Sequence, residues 1–252
     1  MITFTIILFF LGSIFGSFLN ACIYRFPRNI TLIEPKHSFC PACQQQIKWY
    51  DLIPLFSFLY LKGRCRFCSQ RINPRYFLVE LLSGFIFSYL FLQSFSFKHL
   101  IFSFEAFFLI GIFFADLETN IIPDEFSISG LLLGFTYSIY RGQFAASIIA
   151  CALGGGIFWL ISKIGKLIYK KEALGGGDIK LIMMLGSFLW PIKTIIAIYF
   201  AFIIGSIIAL LLIFLKKKSR QDYMPFGPAI VLAGFIVMLW GDQLKELLIK
   251  FL

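Results

Sequence analysis

Leu174-Gly175-Gly176-Gly177-Asp178-Ile179-Lys180-Leu181 joins three successive glycines to a carboxylate at the threshold of an apolar run. Placing a carboxylate in hydrocarbon costs several kcal/mol or more, so an acid beside a membrane segment calls for a reason. Glycines without side chains let another backbone lie close to Asp178. The simpler reading is a turn whose aspartate caps the helix that follows. The rest of the chain decides between them.

Around this stretch the chain is apolar. Of its 252 residues 59% are hydrophobic, 33 are Phe and only 14% are charged, and the mean hydropathy is +0.86. That composition describes an all-α polytopic membrane protein. Ile2–Tyr24 has no Lys or Arg and is long enough to cross a bilayer. It lacks the charged start and small-residue cleavage site of a secretory signal, so it is expected to be a retained first helix. Further helices are expected at about 77–97, 99–117, 122–140, 143–168, 178–190, 192–215 and 226–248, about eight in all. Three parts follow: a first transmembrane helix at 1–24, a basic loop at 25–76, and a seven-helix membrane core at 77–252. No internal repeat is visible, which leaves inverted-repeat transport architecture without support.

The net charge of +10 raises the question of nucleic acid, and the placement of the basic residues answers it. Most of the 23 Lys and Arg fall in 25–75 and in the joints near 163–178 and 216–225, all on one side of the membrane when the helices alternate. The positive-inside rule makes that side cytosolic and turns the N-terminus outward. Lipid, not nucleic acid, is the expected surface.

The cytosolic loop carries Cys40-Pro-Ala-Cys43 and Cys65-Arg-Phe-Cys68, with 21 residues between the pairs. Two such knuckles match a four-thiolate zinc ribbon, and metal would supply folding energy that so short a loop lacks. Two disulfides are the alternative, disfavoured by a reducing compartment. Cys22 and Cys151 lie in helices and read as small apolar residues. His37 and His99 read as surface residues.

A second acidic stretch, Asp116-Leu-Glu-Thr-Asn-Ile-Ile-Pro-Asp124, follows the apolar run Phe107–Ala115. Asp116 is expected at the cytosolic end of the third helix, and Asp178 at the cytosolic start of the sixth, so the two share one depth. Two carboxylates held close share a proton, because both cannot ionise together. One then acts as general base on a water while its protonated partner polarises a peptide carbonyl. That is aspartic-protease chemistry at the membrane rim. Asp124, after Pro123, reads as an N-cap or first-turn acid, and Glu118 as solvated.

These residues together resemble the bacterial type IV prepilin peptidases, a class of aspartic membrane proteases with a GxGD motif. The resemblance runs from Gly16-Ser-Phe-Leu-Asn20 and Tyr24-Arg25, through the double CxxC loop, Trp49-Tyr50, Ile53-Pro54, Arg75-Tyr76 and Val79-Glu80. It continues through Asp116, Pro123-Asp124, Gly175-Gly-Gly177-Asp178, Lys180-Leu181 and Pro225-Phe-Gly-Pro228. It implies that Asp116 and Asp178 are the catalytic pair, with Gly175, Gly177, Lys180, Pro123 and Asp124 in support. Gly176 departs from the pattern, whose middle residue is commonly larger. The resemblance further implies cleavage of prepilins and pseudopilins after a glycine, on the cytosolic side of the bacterial inner membrane. It also implies methylation of the new N-terminus with S-adenosylmethionine, and Zn2+ on Cys40, Cys43, Cys65 and Cys68. The residues that contact S-adenosylmethionine, the particular clients and the oligomeric state are not legible. Two other classes compete: a proton-coupled transporter, which needs acids at mid-bilayer, and a non-catalytic assembly protein, which needs the cysteines but neither aspartate.

Overall fold

The computed structural model describes residues 2–93, 96–170, 174–217 and 224–251. Lys171, Lys218 and Arg220 of the expected cytosolic joints lie outside the described residues. The chain forms α1 (Ile2–Arg25), α2 (Phe56–Tyr60), α3 (Arg75–Gln93), α4 (Phe97–Thr119), α5 (Asp124–Tyr140), α6 (Phe144–Tyr169), α7 (Gly176–Phe214) and α8 (Gly227–Phe251). Among the described residues α1, α4, α6, α7 and α8 are long and apolar enough to cross a membrane. The protein is an all-α, multi-pass membrane protein.

The two helices expected at 178–190 and 192–215 fall within α7, and the break between them is real. Trp190 has φ 63° and ψ 173°, outside the helical region, and Pro191 follows it. Pro191 has no N–H to offer the carbonyl four residues back, that of Ser187. The Ser147 hydroxyl on α6 donates to that carbonyl instead, at 2.7 Å. The Trp190 ring stacks on Tyr137, with planes 2° apart and centroids at 6.5 Å. From Gly176 to the break is about 20 Å at 1.5 Å per residue, short of a full crossing.

The chain divides into two compact units, Met1–Phe114 and Ala115–Leu252. In the first, α1 and α3 pack through small residues. A side chain at Gly16 would lie 2.8 Å from the Glu80 Cα, and one at Gly12 would lie 2.6 Å from the Ser83 carbonyl. Helices that meet in lipid gain little from the hydrophobic effect, so this close backbone approach supplies the attraction. Phe15 adds ring contacts to Phe87 and Phe104, at 5.5 and 6.0 Å. At the end of α1, buried Arg25 donates to the carbonyls of Thr31, Leu32 and His37 and gathers the start of the polar loop.

In the second unit the core is the first half of α7. Leu181, Ile182, Met184 and Leu185 are fully buried. Gly186 lets α6 come so near that a side chain there would meet the Ala150 backbone at 2.9 Å. The Phe226 ring packs between Phe158 and Phe202, with centroids at 6.1 and 5.3 Å, and fixes where α8 begins.

Candidate active site and metal centre

The acids at the start of α7 and the end of α4 lie within electrostatic reach of each other. Asp178 lies in the first turn of α7 and is 4% exposed; Asp116 lies in the last turn of α4 and is 3% exposed. The two carboxylates act on each other electrostatically. The cap reading of Asp178 is realised alongside this: its Oδ2 accepts the Gly175 N–H at 3.0 Å, the backward half of a capping box. Asp116 accepts the backbone N–H of Gly227, while its buried Oδ2 has no hydrogen-bond partner among the described residues. A buried carboxylate oxygen left without a partner is costly and points to a role other than stability.

Three backbone segments close around the pair. A side chain at Gly227 would lie 2.6 Å from Asp116 Oδ2, and one at Gly177 would lie 2.9 Å from the Ile122 Cβ. Ile122 therefore wedges between the two glycines, with its Cδ1 3.2 Å from the Gly227 position as well. Gly176, by contrast, faces open space, so a larger residue would be accepted there. Pro123 is the N-cap residue of α5, and Asp124 opens the helix without a side-chain cap bond. Asp124 instead takes both oxygens to Lys180 Nζ at 2.7 Å, a half-exposed pair that ties the starts of α5 and α7. Glu118 is exposed and His37 likewise; His99 is half-buried.

The four loop cysteines also converge. The Sγ atoms of Cys40, Cys43, Cys65 and Cys68 all lie within 4.8 Å of one another, and none is in a disulfide. Thiolates at 2.3 Å from a tetrahedral zinc stand about 3.8 Å apart, and Cys40 Sγ and Cys68 Sγ are 3.9 Å apart. The donor set and spacing fit such an ion. Each knuckle is built the same way. Cys40 N–H donates to Gln45, Gln44 N–H to Cys40 and Ile47 N–H to Ser38; twenty-five residues on, Cys65 donates to Gln70, Ser69 to Cys65 and Ile72 to Gly63. Bridges Phe39–Gln46 and Arg64–Arg71 close the two turns, and Gln44 and Ser69 share φ 58°. The two knuckles thus repeat one backbone pattern within the loop. The thiols are not equivalent. At Cys65 burial opposes ionisation, but the amides of Cys68 and Phe67 outweigh it and bring the thiol down to about 7. At Cys43 the Gln45 amide favours the thiolate, while burial and the three neighbouring thiols hold it up at about 11.

Comparison with known proteins gives the chain a family. Residues 10–94 match the model of the bacterial peptidase A24 N-terminal domain, and residues 100–210 that of the type IV leader peptidase family. The chain is 34% identical to a prepilin leader peptidase/N-methyltransferase of Vibrio cholerae, over 92% of this chain and 95% of that one. The chain belongs to the type IV leader peptidase family. Proteins of the same name from Stutzerimonas stutzeri and Pseudomonas aeruginosa are each 30% identical, over 96% of this chain and 92% of theirs. No solved structure matches. Within this leader-peptidase fold, Gly227 and Ile122 are the residues at the aspartates that sequence reading did not single out as site residues. Gly227 had a signal, a glycine between Phe226 and Pro228 at a helix start; Ile122 had none.

Proposed function

We propose that this protein is an aspartic endopeptidase that removes the leader of type IV prepilins and pseudopilins. Cleavage follows a glycine at the cytosolic face of the bacterial inner membrane. We propose further that it methylates the new N-terminal amine with S-adenosylmethionine as co-substrate. The observation that carries the hydrolysis is the buried Asp116–Asp178 pair, with one acid oxygen lacking a partner.

In this reading the pair holds one proton. The ionised member draws a proton from a water, whose oxygen attacks the carbonyl carbon of the leader glycine. The protonated member donates to the carbonyl oxygen as the tetrahedral centre forms. Collapse breaks the C–N bond, and the departing amine takes the proton the base collected. Gly175 and Gly227 offer amide N–H groups that orient the two carboxylates. Cys40, Cys43, Cys65 and Cys68 would hold Zn2+, which supplies a structural tie between the two knuckles. The positive-inside charge pattern sets the N-terminus outward and both sites inward.

The test is incubation of membranes containing the enzyme with a prepilin, with and without S-adenosylmethionine, followed by weighing the product. Loss of the leader in both reactions, and gain of one methyl group only with the donor, is expected. Full cleavage by the Asp116→Asn or the Asp178→Asn enzyme overturns the assignment.

A further inference from the structure

Between the two cysteine pairs, Leu52-Ile-Pro-Leu-Phe-Ser-Phe-Leu-Tyr-Leu61 has no charged residue, yet it interrupts the most basic stretch of the chain. An apolar run of this length is too short to span a bilayer and suits an interfacial or re-entrant segment. The structure gives it two markers of depth. The Leu55 N–H donates to Glu80 Oε2 at 2.8 Å, inside the first unit, and the Glu80 Cα faces Gly16 of α1. Gly16 lies about 13 Å along the helix from Arg25 at 1.5 Å per residue. Independently, the Phe56 ring stacks on that of Phe10, with centroids 5.9 Å apart. Phe10 lies about 22 Å from Arg25 on the same scale, and Ile7, Leu11 and Ile14 on the same helix are exposed.

The segment therefore does not stand off the membrane with the rest of the loop. Leu55 has φ 64° and ψ −50°, so its backbone is non-helical. Irregular backbone at membrane depth is tolerated only where its polar groups find partners in the protein. Here the Glu80 carboxylate takes the Leu55 amide, Pro54 has no amide to satisfy, and Phe56 N–H closes onto the Pro54 carbonyl at 2.7 Å. The apolar side chains face outward: Phe56, Leu59 and Tyr60 are 58, 62 and 77% exposed. Cations lie close by. Arg66, paired with Asp51, lies 6.0 Å from the Tyr60 ring and 5.2 Å from that of Tyr50, and Lys48 lies 5.6 Å from Tyr50, while Lys62, Arg64 and Arg71 line a notch on the Phe58 side of α2.

We propose that Leu52–Leu61 is a wedge inserted into the bilayer beside α1, its aromatic face against acyl chains and its rim cations on the phosphates of anionic lipids. The occupant is lipid because the wedge continues the outward face of a membrane-spanning helix and its rim matches anionic headgroups. Glu80 is the positioning residue that lets the chain turn at this depth. The proposal does not depend on the hydrolysis.

The test places the photo-cross-linker p-benzoylphenylalanine at Phe56, Leu59 or Tyr60 of the full chain. The protein is reconstituted in vesicles of phosphatidylcholine and phosphatidylglycerol. Ile14, on the outward face of α1, is the positive control, and Phe39, beside the first knuckle, the negative one. After irradiation, phospholipid adducts are expected at positions 56, 59 and 60 as at 14, and none at 39. Phosphatidylglycerol should be over-represented about twofold in the adducts at 60 relative to those at 14, since surface cations attract anionic lipid. Lipid adducts at 14 without any at 56, 59 and 60 overturn the proposal. So do adducts to a second copy or to a prepilin at those positions, which would make the face a protein-docking surface. Three positions guard against one variant failing to fold, and metal content of each variant reports the state of the loop.

Discussion

The cysteine cluster and the aspartate pair both bring chemistry-bearing side chains together, and they do so by opposite means. The cluster is local: two near-identical turns, each with its own backbone bonds, present their sulfurs wherever the chain between them allows. The pair is long-range. Asp116 ends one helix, Asp178 begins another, and Gly227 of a third lies against Asp116. A local site is insulated from changes in helix packing, whereas a long-range site fails when any of several helices shifts.

The largest effect expected is on the pair itself. Asp116→Asn and Asp178→Asn should each lower prepilin cleavage roughly a thousandfold or more, the range of acid–base catalysis, while membrane insertion and metal content stay unchanged. Metal loss in either variant would break the contrast between the two sites. Gly227→Ala comes next. Its Cβ would press on Asp116 Oδ2 from 2.6 Å, and a displacement of that kind costs about a hundredfold in rate. Gly176→Ala, facing open space, should leave cleavage within about twofold; a loss equal to that of Gly227→Ala would refute the packing explanation. Replacing Cys40, Cys43, Cys65 and Cys68 together should remove about one equivalent of metal and unfold the loop. Protease susceptibility between residues 25 and 75 would report this, with cleavage falling less than about tenfold. Smallest is Lys180→Ala. The half-exposed ion pair to Asp124 is worth roughly 1 kcal/mol or less, so thermal stability and rate should move only slightly.

The difference between the two sites also explains what the sequence disclosed. The cysteines were legible because their spacing encodes their geometry, and both turns formed where the CxxC pairs predicted. The aspartates were legible through the glycine motif before Asp178, through the family resemblance, and through topology: alternating apolar runs put Asp116 and Asp178 at one level. Ile122 was not legible, because an isoleucine wedged between two glycines is in sequence simply another apolar residue. The Leu52–Leu61 run was visible as letters but was absorbed into a polar loop, since its depth comes from Glu80 and Phe10, both far from it in the chain. The expected break between 178–190 and 192–215 coincides with Trp190, which leaves the helical region just before Pro191.

The hydroxyl of Ser147 on the Ser187 carbonyl means that the bend in α7 is held partly from outside α7. With Pro191 unable to close the turn, a neighbour acts as its splint, and the bearing of everything upstream, Asp178 included, is inherited from two helices at once. Relatives that drift at one of these positions would be expected to drift at the other.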